Sequence, residues 1–145
     1  KLKNKKWHVI AKGIGELRRF RIKKASHRVT KFINHPVREV QKETHLYMVN
    51  LFLFDGLSFL DHLKTPLSEW EQIQLLETLQ KFENQEICNI RPWLKSTNNS
   101  VVLFALKLAK IYNQFEVKET LMELLSHTNK DIRLNTINVL THLCS

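Results

Sequence analysis

Four amphipathic stretches recur along this chain at steps of 30 or 31 residues, and that recurrence restricts the fold more than any local motif does. In 36–52, the apolar or slim residues Val37, Val40, Thr44, Tyr47, Met48 and Leu51 fall at offsets 0, 3, 7, 10, 11 and 14, which is one stripe of an α-helix. The stretch 66–82 repeats the pattern with Leu67, Trp70, Ile73, Leu76, Leu79 and Phe82. The third, 100–115, is apolar on nearly every side and is expected to be a central helix packed on two faces. The fourth, 130–144, carries Ile132, Ile137, Leu140 and Leu143. Aligned by period, Val40, Trp70, Val101 and Ile132 share one position. Four residues on come Thr44, Gln74, Ala105 and Thr136, slim enough to predict close helix–helix approach. This register makes Trp70 a core residue.

Shorter apolar runs lie between the long ones, at 55–63, 86–94 and 117–125, with Pro92 imposing an irregularity or a late start on the second. Upstream, 8–20 and 24–33 form a further pair. Asn34-His35-Pro36, Thr65-Pro66, Asn98-Asn99-Ser100 and Asn129-Lys130-Asp131 each precede a long stretch and read as helix starts. Ser68-Glu69-Trp70-Glu71 also fits a capping box, in competition with Thr65 one turn earlier. With only 3 Gly and 3 Pro there is little turn chemistry for a many-stranded sheet. The expected fold is all-α: an α-solenoid of stacked antiparallel helix pairs, about four and a half repeats long. One pair cannot bury both its faces, so each needs a neighbour as its second wall.

Long helix, tight turn, shorter helix and an Asn- or Pro-marked turn resemble the HEAT-repeat family of armadillo-like solenoids, and most of all its bacterial members. The likeness rests on Asn129-Lys130-Asp131-Ile132-Arg133-Leu134-Asn135-Thr136, where the family has Asp-Pro…Val-Arg-x-x-Ala, and on Asn34-His35-Pro36 through Thr44. Thr replaces the usual Ala twice and Gln replaces it once. The resemblance covers the chain from about residue 8 onward and implies a non-catalytic scaffold for protein–protein contact.

Charge divides the chain. Residues 1–45 hold 14 Lys or Arg against three acids, a net of +11, whereas 46–145 carry a net of −2. Such a block is a solvated face, a contact with anionic lipid, or a contact with nucleic acid phosphate. The basic segment 1–7, with Lys1, Lys3, Lys5 and Lys6, is read as juxtamembrane and separate from the repeat domain 8–145. The first residue is Lys rather than Met, so the chain reads as a piece of a longer one. A membrane helix ahead of Lys1 would obey the positive-inside rule and place the domain in the cytoplasm, on the inner face.

Chemistry-bearing patterns are sparse. Gly13-Ile14-Gly15 lacks the strand and spacing of a phosphate loop and reads as a loosened helix or a turn. The seven histidines show no HExxH spacing and are expected at the surface or in turns. Cys88 and Cys144 have no zinc-type spacing and read as two thiols in a reducing compartment. No catalytic residues, cofactor, metal or small-molecule substrate are expected. If the shorter helices line an inner surface, the partner-binding residues are Lys24, His27, Arg28 and Lys31, then Asp61 and His62, then Arg91 and Lys95. That surface runs from basic to mixed and suits an elongated protein of opposite gradient. The alternative is nucleic acid binding through the basic block. Its enzymatic version, the alkylpurine DNA glycosylase type of HEAT-like protein, would use Trp7, Trp70 or Trp93 with Asp61.

Overall fold

The computed structural model describes residues 2–82 and 86–144, with side chains from residue 6 onward. Among the described residues there are eight α-helices joined by 3₁₀ segments and no strand. The helices are α1 Leu2–Arg19, α2 Ser26–Val29, α3 Arg38–Phe52, α4 Glu69–Gln80, α5 Arg91–Leu94, α6 Asn99–Ile111, α7 Lys118–Leu124 and α8 Lys130–Cys144. The chain divides into two compact units, Lys1–Thr65 with Ile73–Glu86, and Pro66–Gln72 with Ile87–Ser145.

In the first unit α1 packs along α3, and α3 packs in turn on the 3₁₀ segments Thr30–Phe32 and Leu53–Asp61. Gly13 and Gly15 lie within α1, and Gly15 marks a close approach: a Cβ there would sit 3.3 Å from Glu43 Oε1 on α3. The core gathers Ile14, Val29, Val40, Tyr47, Val49, Leu57 and Phe59. His45 belongs to it as well. Contrary to the expectation of surface histidines, its ring is buried, stacks on Phe59 with centroids 4.3 Å apart, and lies 3.2 Å by Nε2 from the Ile33 carbonyl.

The run 55–63, expected as a short α-helix, lies mostly within a nine-residue 3₁₀ helix, Leu53–Asp61. A 3₁₀ helix repeats every three residues, so side chains stack in straight rows. Phe54, Leu57, Leu60 and Leu63 form the buried row, and Asp55, Ser58 and Asp61 form the exposed one. Gly56 lets this segment press onto α3, because a Cβ there would lie 2.1 Å from the Met48 carbonyl oxygen.

In the second unit α6 is buried on two faces, through Val101, Val102, Phe104, Ala105, Leu106, Leu108 and Ala109, which matches a sequence apolar on nearly every side. It packs on α5 and α8, and α7 packs on α5 and α8. Pro92 stands in the first turn of α5, where its missing amide costs nothing, and the helix is confined to Arg91–Leu94.

The helix starts separate true caps from look-alikes. Asn98 Oδ1 accepts from the Ser100 amide at 3.1 Å, and Asn129 Oδ1 accepts from the Ile132 amide at 3.1 Å. Asn34 caps nothing: its amide donates to the His62 carbonyl and its oxygen accepts from the Lys64 amide, both at 2.8 Å, tying down the loop after the 3₁₀ helix. The cap of α3 is Val37, whose own amide donates to His35 Nδ1 at 3.0 Å. Thr65 likewise turns away, its hydroxyl bonding Gln41 Oε1 at 3.1 Å. Ser68 caps α4 instead, taking the Glu71 amide on its hydroxyl at 3.2 Å and the Gln72 amide on its carbonyl at 3.0 Å.

That choice corrects the expected register. With caps at Val37, Ser68, Asn98 and Asn129, the third helical position is Val40, Glu71, Val101 and Ile132. Four residues on come Thr44, Leu75, Ala105 and Thr136, and all eight side chains are buried. Trp70 is therefore not a core residue. It is rotated off this stripe by one residue, about 100° of helix, and stands 64% exposed. Thr44 and Thr136 fit the buried slot because each hydroxyl donates to the carbonyl four residues back, Val40 at 2.8 Å and Ile132 at 2.7 Å.

Candidate functional site: the basic face of the first unit

From Leu17 to Lys31 the chain carries seven Lys or Arg and no Asp or Glu. The segment begins with the last turn of α1 and runs through the 3₁₀ turn Lys23–Ala25, α2 and Thr30–Phe32. Lys24, His27, Arg28 and Lys31 are all exposed along it, at offsets 0, 3, 4 and 7, the spacing of one helical face. Between α2 and the end of α3, Ser26, His27, Thr30, Met48, Phe52 and Asp55 line a shallow depression of about 360 Å³. The Lys23 ammonium lies 5.9 Å from the centroid of Phe52.

The remaining expected residues are placed differently. Asp61 and His62 are exposed at the end of the 3₁₀ helix of the same unit, and the His62 carbonyl is the one held by Asn34. Arg91 and Lys95 belong to the second unit. Arg91 is a brace there, its Nη2 donating to the Glu116 carbonyl at 2.6 Å, while Lys95 is exposed at the end of α5. Lys6 is exposed on α1, Lys1 lies outside the described residues, and so do the side chains of Lys3 and Lys5. Of the segment 1–7, expected as separate, the described residues from Leu2 onward belong to α1.

The periodicity gave no sign of the groove between α1 and α3, about 940 Å³ and open to solvent. Arg18 and Glu43 meet there in an ion pair of 3.1 Å. Arg18, Arg19, Arg21 and Lys12 line it together with Glu16, Glu39 and Glu43, so opposing charges share it. Trp7 stacks on His8 at its rim, with centroids 3.6 Å apart. Of the three tryptophans, Trp93 is buried and offers no face for a base, and Trp70 lies in the second unit.

Burial raises the pKa of both tyrosines, Tyr47 and Tyr112, above the ordinary phenolic value. Tyr47 also donates its hydroxyl to the Ile22 carbonyl, fixing the turn between α1 and α2. No group of three or more His, Cys, Asp or Glu among the described residues is arranged to hold a metal ion. No helix among them is long and apolar enough to cross a membrane. No protein-family model, curated protein or solved structure matches the chain.

Proposed function

We propose that the chain is a non-catalytic interaction module of HEAT-like repeats, its helix pairs stacked as an α-solenoid, with another protein as partner. The observation that carries this reading is the common frame of the four long helices. Caps at Val37, Ser68, Asn98 and Asn129 are spaced by 31, 30 and 31 residues, and the buried third and seventh helical positions recur in each. A packed bundle has no need of such regularity, whereas a stack in which each repeat meets its neighbours through the same residues requires it. The hydroxyl-to-carbonyl bonds of Thr44 and Thr136 repeat the same local solution in two of the four helices.

The partner reading draws on the surface. Phe115, Met122, Leu134 and Ile137 are each more than half exposed in the second unit. The first unit supplies Lys24, His27, Arg28 and Lys31 for acidic groups.

Two measurements test this. Ala105→Trp is expected to overpack the buried seventh position of α6 at a cost of about 1–3 kcal/mol or more, and a neutral urea midpoint refutes the shared frame. Affinity capture after nuclease treatment is expected to retain a protein that the Arg28→Glu, Lys31→Glu variant loses. Retention that disappears with nuclease assigns the basic face to nucleic acid, and the salt dependence of a direct DNA and RNA titration then measures it.

A further inference from the structure

The turn joining α1 to α2 exposes apolar side chains amid cations. Phe20 is 66% and Ile22 41% exposed, and they alternate with Arg19, Arg21 and Lys23, themselves exposed. Arg18 precedes them and Lys24 follows. This is not a loose loop. The Ile22 amide donates to the Leu17 carbonyl at 2.9 Å and the Arg21 amide to the Arg18 carbonyl at 3.1 Å, the paired bonds of a Schellman closure. The buried Tyr47 holds the Ile22 carbonyl from below. Arg21 takes the left-handed conformation, φ 56°, that glycine usually fills at this position. The fold thus holds two apolar side chains out in water. The Arg19 guanidinium lies 5.3 Å from the Phe20 ring centroid, so a cation is held beside it.

We propose that this turn is a membrane-surface anchor: Phe20 and Ile22 enter the headgroup region of an anionic bilayer while Arg19, Arg21, Lys23 and Lys24 bind lipid phosphates. Charge complementarity selects an anionic surface: Arg19, Arg21, Lys23 and Lys24 are exposed and no acid occurs between Leu17 and Lys31. The acids that share the α1–α3 groove with Arg19 and Arg21 are Glu16, Glu39 and Glu43, of which Glu43 is paired with Arg18. The apolar pair selects lipid over nucleic acid. A polyanion would engage the bases but leave Ile22, which has no ring to stack on a base, in water; a bilayer takes up both side chains. The site shares only Lys24 with the residues assigned above to a protein partner, and it stands whether or not the repeats bind one.

Co-sedimentation with vesicles tests it. The chain is expected to bind vesicles of equal parts phosphatidylcholine and phosphatidylglycerol and not phosphatidylcholine alone. Phe20→Ser with Ile22→Ser should weaken binding at least about tenfold with the helical circular dichroism unchanged. Arg21→Gly should weaken it about fivefold, the equivalent of one surface charge, while raising the melting temperature, because glycine relieves the left-handed backbone. A merely structural role for Arg21 would move both readouts together. Absence of binding to the mixed vesicles overturns the proposal. So does binding that the serine pair leaves intact, and so does tighter, Phe20-dependent binding to single-stranded RNA.

Discussion

Trp70→Ala and Leu75→Ala, measured side by side, decide the register of α4. Trp70 is 64% exposed and Leu75 1%. The backbone and Cβ of a helical residue count toward its covered area and stay covered in alanine. On the order of 50 Å² of side chain is then lost from packing, about 1 kcal/mol at 25 cal/mol per Å². Alanine returns roughly 0.5 kcal/mol in helix propensity. The net cost of Trp70→Ala is therefore under about 1 kcal/mol. Leu75→Ala empties a fully packed site at the seventh helical position and should cost about 2–5 kcal/mol. Urea unfolding followed by far-ultraviolet circular dichroism reads both without depending on tryptophan emission. Ser68→Ala completes the set, with a loss of about 1 kcal/mol expected for the cap. A Trp70→Ala loss larger than that of Leu75→Ala would refute the capping argument and restore the register given by the apolar period.

Three further outcomes are expected. Gly56→Ala should destabilise by about 1–3 kcal/mol or more, because the added methyl meets the backbone of Met48 rather than a side chain that can swing aside; a neutral urea midpoint would refute that contact. Arg21→Gly should stabilise by about 0.5–1 kcal/mol through the left-handed position alone, and an unchanged or lower melting temperature would count against the closure described for α1. Tyr47 and Tyr112 titrate above the ordinary phenolic pKa of 10.0 in the folded chain. Their contribution to stability is complete below the unfolded value and is lost as the pH rises through the raised folded value. The tyrosinate absorbance of the native protein should therefore rise later than that of the urea-unfolded chain.

The helical class, the four long helices and the two-sided burial of α6 were legible in the sequence, because an α-helix buried on one side writes its period into the residues it buries. The 3₁₀ helix Leu53–Asp61 was missed as such, although its period is written in the residues. Asp55, Ser58 and Asp61 recur every third residue opposite Phe54, Leu57, Leu60 and Leu63, a spacing that an α-helical reading passes over. What sequence could not decide was which of two plausible caps begins α4. Thr65 and Ser68 both satisfy the local chemistry, and Thr65 is withdrawn by Gln41, a partner 24 residues away. Asn34 is drawn off in the same way by His62 and Lys64.

The candidate sites divide along the same line. Local composition was enough to find the basic run from Leu17 to Lys31, since charge adds up along the chain whatever the fold. Tertiary structure alone brought Arg18 to Glu43, buried His45 against Phe59, used Arg91 as a brace and fixed Phe20 and Ile22 outward on a turn pinned by Tyr47. Each of those depends on a partner 14 to 25 residues distant. Helix period, cap chemistry and charge are properties of neighbours along the chain, and the sequence by itself determines them. Which of two equivalent polar groups ends up bonded, and which apolar side chain is left in water, is set by packing between distant segments, and only the folded chain decides it.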